Sequence, residues 1–476
     1  MENNDVPARK SPSRRLFLSA SAATAVAAPL ATQVATAHAA TTSAAAGLRT
    51  AARIDPDLRR ALRQIDRNRI KTIITTLAGF GTRHTASSQT DPVRGIGAAI
   101  SYVTGELNAI AATSGGRMTV QQQTFTQPVS SNIPVPTSIT NVIATLQGTA
   151  NPQRFYVVTG HLDSRCTDVL DFTSDAPGAD DDASGVAAVL EMARVMATLD
   201  PKATIVFAAV AGEEQGLYGA GFMAQQYKAQ GADVQGMFTN DIVGSATADD
   251  GTRDPHAIRC FSEGVPTSET PAQTAVRQLV GSEADSPSRQ LARFATSVAT
   301  NDATGMAIRV IYRRDRYLRG GDHIPFLQQG FPAARFTEPH ENFAHQHQDT
   351  RLVNGVQFGD LIEFCEFDYI LRVTKVNAAV MWSLANAPGT PKNALILDSA
   401  LSNSTELTWD RGTEPDLAGY EVVWRACTEP DWTHVVAAGD VTSFTVPLAK
   451  DNVFFGVRAV DHDGHRGPVA FPAPSP

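Results

Sequence analysis

The chain has 476 residues, 42% of them hydrophobic, with 40 Lys and Arg against 49 Asp and Glu and a formal net charge of -9. That length holds two or three domains with cores of their own, and an acidic balance without a long basic run beyond the extreme N-terminus excludes a phosphate track, so no nucleic-acid partner is expected. Cys166, Cys260, Cys365 and Cys427 are scattered with no C-x-x-C pair, which excludes a cysteine-based zinc site of the usual kind and a dense disulfide framework while leaving room for one or two bridges.

The N-terminus reads as an export signal. Arg14-Arg15-Leu16-Phe17-Leu18 precedes an Ala-rich apolar stretch and then Ala37-His38-Ala39, an order similar to that of a bacterial twin-arginine signal with cleavage after Ala39. Residues 1–39 are therefore expected to be a signal peptide and 40–54 a linker. No other stretch approaches the roughly 18 uninterrupted apolar residues of a membrane span, so the mature protein is expected outside the cytoplasm, periplasmic or extracellular, with no membrane partner.

From Asp55 the spacing of Leu58, Ala61, Leu62, Ile65, Ile70, Ile73 and Ile74 predicts helix. Between about Arg154 and Glu338, apolar runs at Phe155–Val158, Thr204–Val210, Gly236–Phe238 and Ala333–Phe336 alternate with helical stretches such as Gly185–Leu199. This alternation predicts an α/β domain around a mainly parallel sheet flanked by helices. A closing helix over Leu361–Leu384 ends before Asn386-Ala387-Pro388-Gly389-Thr390-Pro391, placing a domain boundary between 386 and 387. Beyond it, short runs at Glu406–Trp409, Tyr420–Trp424, Ser443–Val446 and Phe454–Val460 predict a small all-β sandwich over 387–476. The order of Trp409, Tyr420, Trp424 and Val457–Gly464 resembles a fibronectin type III module. Its partner is left open among a polysaccharide, a peptide or protein, and the catalytic domain itself.

The chemistry is concentrated where predicted strands end. The first delivers Gly160-His161-Leu162-Asp163, and in an extended segment His161 and Asp163 share a face, letting the carboxylate orient the imidazole. Pro177-Gly178-Ala179-Asp180-Asp181-Asp182-Ala183-Ser184-Gly185 puts three carboxylates before an apolar helix. Helix capping accounts for one of them, and three adjacent like charges repel unless a cation sits among them. The next strand ends in Gly212-Glu213-Glu214-Gln215-Gly216, where one Glu can ligate a metal while the other faces a bound water. Asp241 closes a further apolar segment, and His340, His345 and His347 follow the last strand, the chemistry alone leaving the choice among them open.

G-H-L-D, P-G-A-D-D-D-A-S-G, G-E-E-Q-G-L-Y-G, an isolated Asp, G-D-H-x-P-F and H-x-x-x-D-T, in this order over residues 55 to 385, resemble the co-catalytic two-zinc aminopeptidase family. The resemblance implies an exopeptidase domain over 55–386, with His161, Asp181, Glu214, Asp241 and His345 holding two zinc ions and Asp181 bridging them. It also implies a cis peptide at Asp181-Asp182, Glu213 as general base acting on a metal-bridged hydroxide, and Asp349 supporting His345, the histidine four positions before an Asp. Three ligand carboxylates against four metal charges leave one positive charge, which favours a water of pKa near about 7. The all-N/O donor set also suits cobalt or manganese. Where some members place a Tyr directly before the last His, this chain has Ala344, and Tyr317 is the candidate for oxyanion help. A peptide or protein substrate is implied. Two other readings remain: a carboxypeptidase or dipeptidase using Arg313, Arg314, Arg316 or Arg319 against a carboxylate, and a catalytically silent binding scaffold.

Overall fold

A computed structural model describes residues 55–399 and 401–475. The expected signal peptide and linker lie outside the described residues.

Eight strands form the main sheet: β1 (Met118–Gln127), β2 (Thr137–Leu146), β3 (Asn151–His161), β4 (Ala203–Val210), β5 (Asp233–Asn240), β6 (Ala257–Phe261), β7 (Ala307–Ile311) and β8 (Ala333–Thr337), in the order β1-β2-β4-β3-β5-β8-β6-β7. The centre, β4-β3-β5-β8, is parallel. Antiparallel pairing enters at β1-β2, β2-β4 and β6-β8. Every residue of β4 is buried, as a strand covered on both faces requires, which is why its sequence is a continuous apolar run.

Helices cover both faces. On one lie α1 (Pro56–Gln64), α2 (Arg67–Gly79), α3 (Ile96–Ala111) and α4 (Ala183–Met196), and on the other α5 (Tyr218–Ala229). Next come the exposed α6 (Pro271–Val280), then α7 (Pro287–Ala299) on the first face, the short α8 (His323–Gln328) beside α5, and α9 (Phe367–Asn386), which closes the first face. The predicted first helix is two: Ile65 turns extended, and Asp66 restarts the helix by accepting from the N–H of Asn68. α4 packs on β3 between α2 and α9. It comes in backbone to backbone, since a Cβ on Gly160 would lie 2.6 Å from the Gly185 carbonyl carbon. That approach carries Asp181 and Asp182 to the end of β3.

After the hairpin β9 (Arg351–Val353) and β10 (Val356–Phe358), the chain passes through α9 into a sandwich. Its strands are β11 (Leu395–Ile396), β12 (Thr405–Thr408), β13 (Leu417–Ala426), β14 (His434–Gly439), β15 (Ser443–Val446), β16 (Val453–Asp461) and β17 (Ala473–Pro474). They form two sheets, β15-β12-β11-β17 and β14-β13-β16, antiparallel except for β11 with β17, around Leu407, Trp409, Tyr420, Val422, Phe455 and Val457.

The sandwich is docked on the α/β domain. Arg154 near the start of β3 pairs with Glu414 at 2.6 Å and donates to the Ala387 carbonyl at 2.7 Å. Lys202, just before β4, pairs with Asp461 at 2.9 Å. Asp285 is buried between Arg293 of α7 at 2.8 Å and Arg425 of β13 at 2.6 Å, and Trp432 donates to Gln290 at 3.0 Å. Arg154 and His161 are seven residues apart on one strand, so this interface lies about 23 Å from the strand ends where the chemistry gathers. All four cysteines are unpaired, so neither of the bridges left open by the sequence is formed. Among the described residues no helix is long and apolar enough to cross a membrane.

Candidate metal centre

Strands β3, β4 and β5 end side by side, and the residues that follow converge. His161 closes β3. Its Nδ1 donates to the main-chain carbonyl of Asp163 at 3.0 Å, fixing the ring so that Nε2 points towards the cluster. The expected orienting role of the Asp163 carboxylate needs correction. That carboxylate sits 3.8 Å from Nδ1 and instead accepts the main-chain N–H groups of Glu213 at 3.2 Å and Glu214 at 3.0 Å, so it shapes the turn after β4.

The three consecutive aspartates divide their work. Asp182 caps α4, accepting from Gly185 N–H at 3.0 Å and from His161 N–H at 2.8 Å. Asp180 turns away to accept from Gly244 N–H at 2.6 Å. Asp181 is left to face the cluster, and its peptide to Asp182 is cis. Asp181 Oδ1 lies 2.9 Å from His161 Nε2, which is 3.7 Å from Asp241 Oδ1. Asp181 Oδ2 lies 3.0 Å from His347 Nε2, which is 3.1 Å from Glu214 Oε2. Each oxygen of one carboxylate thus faces a separate three-donor set, His161-Asp181-Asp241 and Asp181-Glu214-His347.

His347 stands where His345 was expected. The His345 ring stacks on Phe364, 3.6 Å between centroids at 8°, outside the cluster. The cause is local: His347 adopts a left-handed backbone, φ 53°, which reverses the chain and swings its imidazole inward. Asp349 supports neither ring. It exchanges hydrogen bonds with Thr167, both 3.1 Å, stapling the His347 loop to the loop after β3. Tyr317 is also displaced from its expected role: it is 75% exposed with Arg313 over its ring. Arg316 donates back to the Gly320 carbonyl at 2.9 Å and Leu318 is left-handed at φ 58°, so the loop turns 316, 319 and 320 to the cleft and 317 and 318 outward.

Several supports were not identified from sequence. Buried Arg335 pairs with Asp241 at 2.6 Å, leaving the other Asp241 oxygen to the cluster. Its signal was a charged residue within the apolar run Ala333–Phe336. Buried Arg83 donates to the carbonyls of Leu162 at 2.7 Å and Gly178 at 2.8 Å, and Asp360 accepts the N–H groups of Asp180 and Asp181 at 2.8 and 2.7 Å. No local pattern marks these two, because their partners are main-chain groups far away in sequence.

Electrostatics point to a cation. Burial alone would lower the pKa of His347, yet Glu214 and Asp181 outweigh it and lift the ring to about 10. His161 is likewise raised, against burial, by Asp182, Asp181 and Asp241. Without a metal ion, two imidazolium protons balance the carboxylates. His161 Nε2 and Glu214 Oε1 are buried without a hydrogen-bond partner. Spacings of 2.9 to 3.7 Å within the sets match the edges of about 3.3 Å that donors at about 2.0 Å around a tetrahedral zinc would show. The residues present therefore fit zinc. Glu213 lines the same cleft, and burial first, then Asp241, Asp322 and Glu214, hold its pKa well above the ordinary carboxyl range against the opposing pull of His161.

Fold and centre define a metal-dependent hydrolase of the α/β class. The model of peptidase family M28 matches residues 141–353, a span that includes every residue of both donor sets. A "Probable zinc metalloprotease" of Leptosphaeria maculans is 51% identical over 420 residues, covering 88% of this chain and 97% of its own. A protein of the same description from Pyricularia oryzae is 52% identical over 426 residues, covering 88% of this chain and 85% of its own. Among solved structures, the LapA aminopeptidase of Legionella pneumophila aligns at 18% identity and a TM-score of 0.49, over 70% of this chain and 76% of that one. The chain belongs to peptidase family M28 and is a zinc metalloprotease, acting on peptides or proteins. The two relatives named are fungal, and they lend no support to a bacterial origin.

Proposed function

We propose that this chain is an exported aminopeptidase that removes N-terminal residues with two zinc ions, one held by His161, Asp181 and Asp241 and the other by Asp181, Glu214 and His347. The observation that carries the reading is Asp181, whose two oxygens face the two donor sets separately. The centre opens onto a cleft of about 330 Å³, a size that accommodates a chain end. Zinc, when bound, polarises the scissile carbonyl and lowers the pKa of water. Glu213, with its raised pKa, is placed to accept the proton of the attacking water and pass it to the departing amine. Asp163 keeps Glu213 and Glu214 in register by holding both main-chain N–H groups. The export part of the proposal rests on the Arg14-Arg15 segment and is tested by the N-terminal sequence of protein recovered outside the producing cell.

A second reading has its own support. Arg165, Arg316 and Arg319 line the cleft, and guanidinium groups suit a terminal carboxylate, as in a dipeptidase or carboxypeptidase. Hydrolysis of free-amine and N-acetylated peptides separates the two. Chelator-sensitive release of N-terminal residues from free-amine peptides only, reduced about 10²- to 10⁴-fold in Glu213→Gln, is the aminopeptidase outcome. Cleavage of acetylated peptides from the C-terminal end overturns it.

A further inference from the structure

The cleft beside the zinc ligands is walled by Asn132, Arg165, Leu217, Ile242, Arg316 and Arg319. Two of the three guanidinium groups are already committed. Arg316 donates to Asp315 at 3.0 Å and to the Gly320 carbonyl at 2.9 Å, and Arg319 is held by Glu341 and by Gln346 at 2.8 Å. Arg165 differs from both. Its Nε donates to the Cys166 carbonyl at 3.1 Å and its Nη2 to the Thr167 carbonyl at 2.8 Å, which fixes the plane of the guanidinium against its own loop. Among the described residues no carboxylate pairs with it, and Nη1 makes no hydrogen bond.

The position of Arg165 is also fixed relative to the zinc ligands. Thr167, two residues on, exchanges two hydrogen bonds with Asp349, so the Arg165 loop and the His347 loop move as one. A half-buried guanidinium held in one orientation, with one edge unused, is preorganised to receive a carboxylate that enters the cleft. The surroundings do not supply it. Glu341 is shared among Arg259, Arg316 and Arg319, and Arg335 is spent on Asp241. Among the three arginines that line the cleft, Arg165 is therefore the one whose guanidinium is left to meet an incoming anion.

We propose that Arg165 is a specificity-determining residue that binds a carboxylate of the substrate within one residue of the scissile bond. The inference rests on the exopeptidase reading above. The carboxylate has two sources, the side chain of an acidic N-terminal residue or the α-carboxylate of a dipeptide. Either accepts from the Nη1 edge of Arg165 while the scissile carbonyl stays over Asp181.

The test uses the full zinc-loaded chain and two substrate pairs, Glu-Gly-amide against Gln-Gly-amide and Leu-Gly against Leu-Gly-amide. The expected result is a kcat/KM ratio of about 10 to 100 in favour of the charged member of one pair, carried by KM, as one charge-assisted hydrogen bond would give. Discrimination in the first pair identifies the side chain as the source, and in the second the terminal carboxylate. Arg165→Gln brings the ratio to about one, Arg165→Lys keeps part of it, and Arg165→Glu inverts it, a reversal that a merely structural role for the residue would not produce. Hydrolysis of all four peptides with no preference, or a preference that survives in Arg165→Gln and Arg165→Glu, overturns the inference while the exopeptidase reading stands. If no peptide is cleaved, that reading fails. Calorimetric binding of leucine against leucinamide, and of glutamic acid α-amide against glutamine amide, then decides for Arg165. A preference for the charged ligand lost in Arg165→Gln supports it, and equal binding overturns it.

Discussion

His345 and His347 lie two residues apart in one loop, and only one reaches the cluster. His347→Ala is expected to remove the only imidazole from the Asp181-Glu214 set and to weaken zinc by more than tenfold, with bound zinc falling from two ions per chain to one by elemental analysis. His345→Ala, which loses only the stack on Phe364, is expected to keep both ions. Equal metal loss in the two variants would return the site to the spacing-based assignment. The pH dependence follows from the same ring. In metal-free protein the His347 pKa stands at about 10, raised from 6.5, so its ion pairs with Asp181 and Glu214 stabilise the fold fully below about 6.5 and are lost as pH rises through about 10. Chelated protein is therefore expected to lose Tm between pH 7 and 10 relative to zinc-loaded protein, by differential scanning calorimetry. Zinc must also displace that proton at one site and the one on His161 at the other, so its affinity at each site is expected to fall by up to about 10-fold for each unit of acidification, with proton release measurable across buffers of different ionisation enthalpy. Position at the ends of apolar segments singled out His161, Glu213 and Glu214 in the sequence, whereas Asp181 among its two neighbours, and Asp241, were picked out only by the resemblance of the ordered motifs to a known family. The histidine could not be chosen that way, because spacing does not reveal the left-handed backbone at His347 that turns its ring inward.

Elements bring these residues together, and their contact is tightest where α4 crosses β3. A Cβ at Gly185 would lie 2.4 Å from the Asn240 carbonyl oxygen and 2.5 Å from the Asp182 carboxylate, both next to residues of the donor sets. Gly185→Ala is therefore expected to cost about 1–3 kcal/mol in urea denaturation and to weaken zinc binding in the folded fraction, because the helix must retreat and take Asp181 with it. An unchanged zinc titration would mean that the donor sets are held by the Asp360 and Arg83 contacts independently of the helix. At this scale the sequence was most legible in the middle of the sheet. β4 stands out because burial on both faces makes it a nearly continuous apolar run, and β3, β5 and β8 carry shorter apolar runs for the same reason. β1 has half-exposed and exposed residues along most of its length, and β6 and β7 have five residues each, too little for periodicity to separate from loop. The margins of the sheet at β1, β6 and β7 were hidden for that reason, while the break at Ile65 was hidden because the apolar spacing runs on from one helix into the next.

In the whole molecule, the sandwich behaves as part of the enzyme's frame and not as a tethered module. Asp285 is buried between Arg293 on one side of the interface and Arg425 on the other. Arg425 also lies over Trp432 and Phe454, while Trp432 bonds to α7 through Gln290. The relatives share this extension: a match of 420 residues exceeds the 386 that precede the sandwich, so it must run into it. Buried ion pairs are weak evidence of net stability, but removing one partner strands the others without solvent. Asp285→Ala leaves two buried arginines facing each other, and a loss of about 3–5 kcal/mol is expected. Since the interface lies at the opposite end of β3 from His161, zinc content and activity of the folded fraction should not change. Calorimetry is expected to show one cooperative transition for the native chain and two for Asp285→Ala, the sandwich melting first. Two transitions already present in the native chain would mean that the sandwich and the α/β domain unfold independently, and the frame would then end at α9.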